Sequence, residues 1–223
     1  ATYVEAALAA HKSLTDSDAC LISDLSLHNA LVIDHDAEPI MRTLYNEQDH
    51  SFSIHSYSVQ DKSQHKLHAT GKIEPLTLQN YKNIDVDNIK KRSEQHLEAD
   101  AIYAELTARG LQYGPYFQGI EQLWRKDGEV LAHIVANDSL DLPAANYQLH
   151  PTLLDACFQS LISTLPEDSD FSTQVYIPVN IRQLRHYQKV SNRFYCYGTL
   201  SHISAESITG NIILCDEHGN IFA

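Results

Sequence analysis

Residues 150–159, His-Pro-Thr-Leu-Leu-Asp-Ala-Cys-Phe-Gln, limit what this chain can fold into more than any other stretch. Proline suits the first position of a helix, where its missing N–H would find no partner and its fixed φ is already helical. Pro151 therefore predicts a helix start. Leu153, Leu154, Cys157, Phe158, Leu161, Ile162 and Leu165 then recur as one broad apolar stripe, which needs a sheet or another helix to cover it. Asp155 stands at the edge of that stripe. The spacing predicts that it falls in the first helical turn, where exposed N–H groups and the helix dipole favour a negative charge. Gln159 follows four residues later on the same side and can hydrogen-bond and orient the carboxylate. A carboxylate held at the boundary of a core serves either as a cap or as an acid with a tuned pKa. The segment by itself leaves both open.

The rest of the chain supplies what the stripe packs against. Residues 1–12 read as an alanine-rich helix, apolar on most sides and hence buried. Strands are expected at 20–33, 39–48, 51–60 and 65–74. Ser51-Phe52-Ser53-Ile54 and Ser56-Tyr57-Ser58-Val59 show the two-residue alternation of a half-buried sheet. From Pro75 to about Glu98 the sequence is polar and lacks a clear period, as a linker would, with room for a helical end. A helix at 98–109 stops at Gly110, a favourable residue just past a helix end. Strands at 117–126 and 129–136 turn at Asp127-Gly128. After the Asp155 helix come strands near 173–186, 193–203 and 206–215. An apolar helix flanked by antiparallel strands thus occurs twice, which predicts an α+β chain in two halves: residues 1–77, a linker at 78–97, and residues 98–223.

Composition narrows the function classes. A formal net charge of -13 argues against nucleic acid, whose phosphates require a basic surface. No apolar run approaches the ~18 residues of a membrane-spanning helix. The four cysteines, at 20, 157, 196 and 215, lack CxxC spacing and read as buried thiols of a reducing, cytoplasmic compartment. His65-Lys66-Leu67-His68 has no carboxylate or cysteine at ligand spacing, so it reads as strand surface and no metal is expected. Lys90-Lys91-Arg92 reads as a solvated face of the linker.

The run HPTLLDACFQ resembles the HPxxLDxxxQ motif of dehydratase domains in type I polyketide synthases. Tyr113-Gly114-Pro115-Tyr116-Phe117-Gln118-Gly119, preceded by the short helix from Tyr103 to Gly110, resembles the YGPxFxG motif of the same family. Residues 1–10 are similar to the family's first long helix, and Tyr176 to Ile181 resemble its late strand. The resemblance implies a double hot-dog, in which each antiparallel sheet wraps a long central helix. It implies a hydro-lyase that removes water from a β-hydroxyacyl thioester to give the α,β-unsaturated thioester. That substrate rides on the phosphopantetheine of an acyl carrier protein, and no cofactor is bound by the domain itself. The implied partners are the carrier protein, the other domains of the same megasynthase and, as one possibility, a second copy of the chain.

By the same resemblance, Asp155 matches the proton donor, Gln159 the residue that holds it, and Tyr113 the tyrosine near the departing oxygen. His150, Pro151, Gly114 and Pro115 match structural positions of the two motifs. The family's base is a histidine in an HxxxGxxxxP motif that ends just before the residues matching Ala1-Thr2-Tyr3, and these residues do not contain it. His11 lies about three turns too late on the helix. The chain also begins inside a helix and ends inside a hairpin turn, as an excerpt would. By themselves these residues are expected not to dehydrate. Product-template cyclases, double-bond-shifting domains and silent dehydratase-like domains use the same fold and stand as alternatives. Arg182, Arg185 and Lys189, close together in sequence, form a candidate docking patch for a carrier protein.

Overall fold

The alanine-rich start of the chain forms helix α1 (Thr2–Thr15), which buries Val4, Ala7, Leu8 and His11 and ends at Asp16 in the left-handed conformation. The computed structural model describes residues 1–33, 39–57, 65–77, 82–137, 146–165, 175–204 and 207–223. The chain divides into two compact units, one of residues 1–79 with 178–188, the other of residues 80–177 with 189–223.

In the first unit, α1 packs on a five-stranded antiparallel sheet of order β2-β3-β4-β1-β8. Its strands are β1 (Cys20–Leu27), β2 (Ile40–Tyr45), β3 (Ser51–Tyr57), β4 (His65–Pro75) and β8 (Asn180–His186). Phe52, Ile54 and Ser56 point inward on β3, as the alternation predicts; residues 58–60 of that expected strand lie outside the described residues. The expectation of a surface position holds for His65 but not for His68, which is fully buried. The cause is a β-bulge. The register slips between Ile54↔Ala69 and His55↔Leu67, which turns the consecutive residues His68 and Ala69 into the core. The ring of His68 is satisfied there: Nδ1 donates to the carbonyl of Asn29 at 3.0 Å, Nε2 meets the Ser56 hydroxyl at 2.7 Å, and Tyr3 stacks on it. A carbonyl can only accept, so Nδ1 carries the proton.

The second unit has a sheet of order β10-β9-β7-β6-β5, again antiparallel. It comprises β5 (Gln95–Glu98), β6 (Ile120–Lys126), β7 (Glu129–Val135), β9 (Arg193–Ile203) and β10 (Ile208–Cys215). Helix α4 (Pro151–Ile162) covers one face and α2 (Val86–Arg92) the other. Two glycines let α4 come close. A Cβ at Gly198 would stand 2.8 Å from Val130 Cγ1 and 3.3 Å from Leu161 Cδ1, and one at Gly210 would stand 2.8 Å from both Leu161 Cδ1 and the carbonyl oxygen of Thr199. Leu161 seats in the notch they leave. Helix α3 (Ala99–Ala108) buries Ile102 and Leu106 over β6 and ends before Gly110, whose φ of 87° suits glycine.

The segment read as a linker is largely structured. Helix α2 is capped by Asp85, whose carboxylate accepts from the N–H of Asn88 at 2.9 Å, and β5 pairs with β6. Only Val86 and Ile89 of α2 are buried, one pair three apart, which is too little for a visible period. Arg92 in its last turn binds Glu129 on β7, and Tyr197 and Lys126 also contact that carboxylate. The late strand expected at 173–186 is regular only from Asn180, and residues 173–174 lie outside the described residues. It pairs with β1 from Cys20↔His186 to Ser26↔Asn180 and so belongs to the first unit, not to the C-terminal half. A pairing that spans some 160 positions leaves no local trace.

Candidate active site

The head of α4 is built by His150 and Pro151. His150 is the N-cap, its Nδ1 accepting from the Thr152 N–H at 3.3 Å and lying 2.8 Å from Thr152 Oγ1. Tyr147 packs edge-on against the ring, and burial pushes the imidazole pKa down. The cap is thus a neutral histidine. With Pro151 at the first helical position, Asp155 is the fifth residue and lies one turn in, rather than in the first turn as its spacing suggested. The reason is helical count, since a turn of about 3.6 residues that starts at Pro151 ends before Asp155. The leading N–H groups are met by His150, through Nδ1 for Thr152 and its carbonyl for Leu153 and Leu154.

Gln159, 2% exposed, holds Asp155 as the four-residue spacing predicts. Its Nε2 donates to Asp155 Oδ2 at 2.9 Å and, through its second hydrogen, to the carbonyl of Phe117 at 3.0 Å. Its Oε1 accepts from the Tyr103 hydroxyl at 3.3 Å, which itself accepts from the N–H of Ile120 at 2.9 Å. Both donors of the amide and one of its two acceptor lone pairs are thereby used. Tyr113 stands edge-on to Tyr103, with ring centroids 6.4 Å apart. Burial, and after it the negative charge of Asp155, raise the Tyr113 phenol above its usual range; burial raises that of Tyr103 further still. Both hydroxyls therefore remain protonated donors at neutral pH.

Gly114 and Pro115 shape the approach to this cluster. Pro115–Phe117 form one 3₁₀ turn that opens after extended Gly114. A Cβ at Gly114 would meet nothing within 4 Å, whereas one at Gly119 would lie 3.3 Å from the Cβ of Ala156 on α4. The close pass is therefore at Gly119, and it brings the Phe117 carbonyl to Gln159. The rings of Tyr116 and Phe117 remain exposed.

Asp155, Gln159 and Tyr113 are thus brought together, with His150, Pro151, Gly114 and Pro115 shaping the backbone around them. Tyr103 was not singled out from the sequence. The available signal was a tyrosine beside Ile102 and three before Leu106, on the buried face of α3, where a hydroxyl needs a partner. On β8, Arg182 shares the side of Leu184 and His186 while Arg185 takes the other, so these two do not share a face of the strand. All four cysteines are buried free thiols. Among the described residues, no group of three His, Cys, Asp or Glu is placed to hold a metal ion, and no helix is long and apolar enough to cross a membrane.

These features define an α+β double hot-dog with a carboxylate–carboxamide pair on the central helix of its second unit. The model of the polyketide synthase dehydratase N-terminal domain matches residues 83–223. The dehydratase domain from the CurF module of curacin polyketide synthase is 30% identical, with a TM-score of 0.83 over 99% of this chain and 78% of that one. The CurJ domain of the same synthase is 29% identical at the same TM-score and coverage. Among curated relatives, a mycocerosic acid synthase-like polyketide synthase of Mycolicibacterium smegmatis is 25% identical over 227 residues, 99% of this chain and 10% of that protein. The phthioceranic/hydroxyphthioceranic acid synthase of Mycobacterium tuberculosis is 27% identical over 128 residues, 56% of this chain and 6% of that protein. The chain belongs to the polyketide synthase dehydratase family, and it spans a small part of the multidomain synthases it matches.

Proposed function

We propose that this chain carries the acid side of a dehydratase acting on β-hydroxyacyl thioesters held by an acyl carrier protein. A base removes the α-proton, and the electron pair of that C–H bond forms the Cα=Cβ double bond. The β-hydroxyl leaves as water on receiving the proton of the Asp155 carboxyl, because hydroxide is too poor a leaving group to depart unprotonated. Tyr113, a neutral donor beside Asp155, holds the departing oxygen, and Gln159 fixes the carboxyl. The base is assigned to a histidine of an HxxxGxxxxP motif, which these residues do not contain. The carrier protein supplies the substrate on its phosphopantetheine arm, so the domain needs no cofactor of its own.

The observation that carries this reading is the geometry around Asp155: a side-chain amide at 2.9 Å on one carboxyl oxygen and a protonated phenol within its field. An ordinary capping carboxylate would point at helix N–H groups, a task His150 already performs. Support comes also from the CurK dehydratase, known as inactive mutants in which a histidine is replaced by phenylalanine or an aspartate by asparagine. In the full-length protein, Asp155→Asn is expected to lower water loss from a carrier-bound 3-hydroxyacyl substrate about 10²–10⁴-fold with folding preserved. Mass spectrometry of the carrier-bound product reads this directly. Turnover within threefold of wild type would sink the assignment.

A further inference from the structure

We propose that Tyr103 is a positioning residue that acts through Gln159 to decide which oxygen of Asp155 carries the transferable proton. This role rests on the dehydratase reading. A glutamine amide has nearly the same shape in its two flipped orientations, but they present opposite groups to Asp155. With Nε2 toward Asp155, Oδ2 accepts a hydrogen bond and the acidic proton resides on the other oxygen, free to leave. With Oε1 toward Asp155, an ionised carboxylate is repelled, and a protonated one spends its hydrogen on the amide.

The orientation is fixed from both ends. Phe117's carbonyl can only accept, so it takes an N–H of Gln159 at 3.0 Å. Tyr103's hydroxyl accepts the Ile120 N–H at 2.9 Å, which leaves its own hydrogen for Gln159 Oε1 at 3.3 Å. Ile120 is 1% exposed, so its N–H has no solvent alternative. Burial holds the Tyr103 phenol neutral, so it remains a donor throughout the working pH range. Phe117 and Ile120 flank the close pass at Gly119. The relay thus ties the orientation of the acid on α4 to the backbone that follows the tyrosine-glycine-proline turn.

The test uses the full-length protein and a carrier-bound 3-hydroxyacyl substrate. Tyr103→Phe is expected to lower kcat about 3–10-fold, the size of one hydrogen bond, with KM within about twofold. Without Tyr103 the amide is held by the Phe117 carbonyl alone, which weakens the N–H donated to Asp155. A carboxyl less well bonded when ionised holds its proton to higher pH, so the basic limb of the activity profile moves upward. Incorporating 3-fluorotyrosine at position 103 keeps the shape and makes the hydroxyl a stronger donor, so the limb moves downward. Adding Tyr103→Phe to Gln159→Leu leaves kcat where Gln159→Leu alone puts it, since the two act in one chain. A Phe variant with wild-type kcat overturns the positioning role. So do an unmoved pH limb accompanied only by a lower melting temperature, and multiplied losses in the double variant. If Tyr103→Phe does not fold, an unchanged profile with 3-fluorotyrosine overturns it equally. A wild-type protein that releases no water fails the dehydratase reading, and the positioning role with it. A working wild type with an indifferent Tyr103 fails the positioning role alone.

Discussion

Glu129 is where the second unit is expected to be sensitive to acid. Its carboxylate receives Arg92 Nε at 3.0 Å, a second bond from Arg92 Nη2, the Tyr197 hydroxyl, and Lys126 at 3.3 Å. The Arg92 bonds first, with Tyr197 and Lys126 after them, hold its pKa at about 2 against the opposing effect of burial. A fall from the usual 4.5 to about 2 corresponds to about 3.4 kcal/mol at full strength. Arg92 is 40% and Lys126 33% exposed, so solvent screening reduces this to about 1–2 kcal/mol. Because the folded pKa is depressed, the stabilisation is complete above about pH 4.5 and disappears as pH falls through about 2. Glu129→Gln is expected to lower the melting temperature at pH 7 by about 2–8 °C. The difference should shrink steadily between pH 5 and pH 2. Hydrogen exchange should show α2 as the element that loosens, since Arg92 is its last-turn tether. Circular dichroism melts across that pH range, with exchange mass spectrometry at neutral pH, measure both quantities. An offset constant from pH 7 to pH 2, or α2 amides as protected as in wild type, would refute the reasoning.

Tyr113→Phe is expected to slow water loss about 2–10-fold, less than Asp155→Asn, because it removes a single neutral donor. A fall in melting temperature with unchanged turnover would instead assign the ring to packing. Gly210→Ala is expected to destabilise the protein by about 1–3 kcal/mol, since the new methyl meets Leu161 and a strand carbonyl at once. A denaturant midpoint equal to wild type would show that α4 does not depend on that notch.

The parts of the site that were legible in the sequence are those written in short range. Asp155 and Gln159 are four apart on one helix, so their bond follows from helical geometry alone. Tyr113 and the backbone around Gly114 and Pro115 became visible through a motif. Tyr103 did not, because its contact with Gln159 joins positions 56 apart on different helices. The two central helices and the alternation of β3 were likewise readable, since each element carries its own period. Helix α2 was hidden by its brevity, and His68 by a bulge that breaks the alternation on which strand reading depends. The expectation of a first-turn carboxylate failed on helical count, since a turn of about 3.6 residues that starts at Pro151 ends before Asp155. The histidine cap is a separate departure that standard capping preferences do not suggest.

The position of β8 bears on how the chain is made. A ribosome releases residues in order, and the four strands of the first sheet that lie before residue 76 emerge long before Asn180. Until then β1 has β4 on one side and lacks the partner that its native register, Cys20↔His186 to Ser26↔Asn180, requires on the other. At about 5–20 residues per second, that strand waits on the order of ten seconds or more with a row of backbone donors and acceptors unmatched. The first sheet therefore stays open until residue 186 has emerged, although four of its five strands are made before residue 76. Misfolding during synthesis should concentrate at the β1 edge, and a β8 segment supplied in trans is the natural competitor for it.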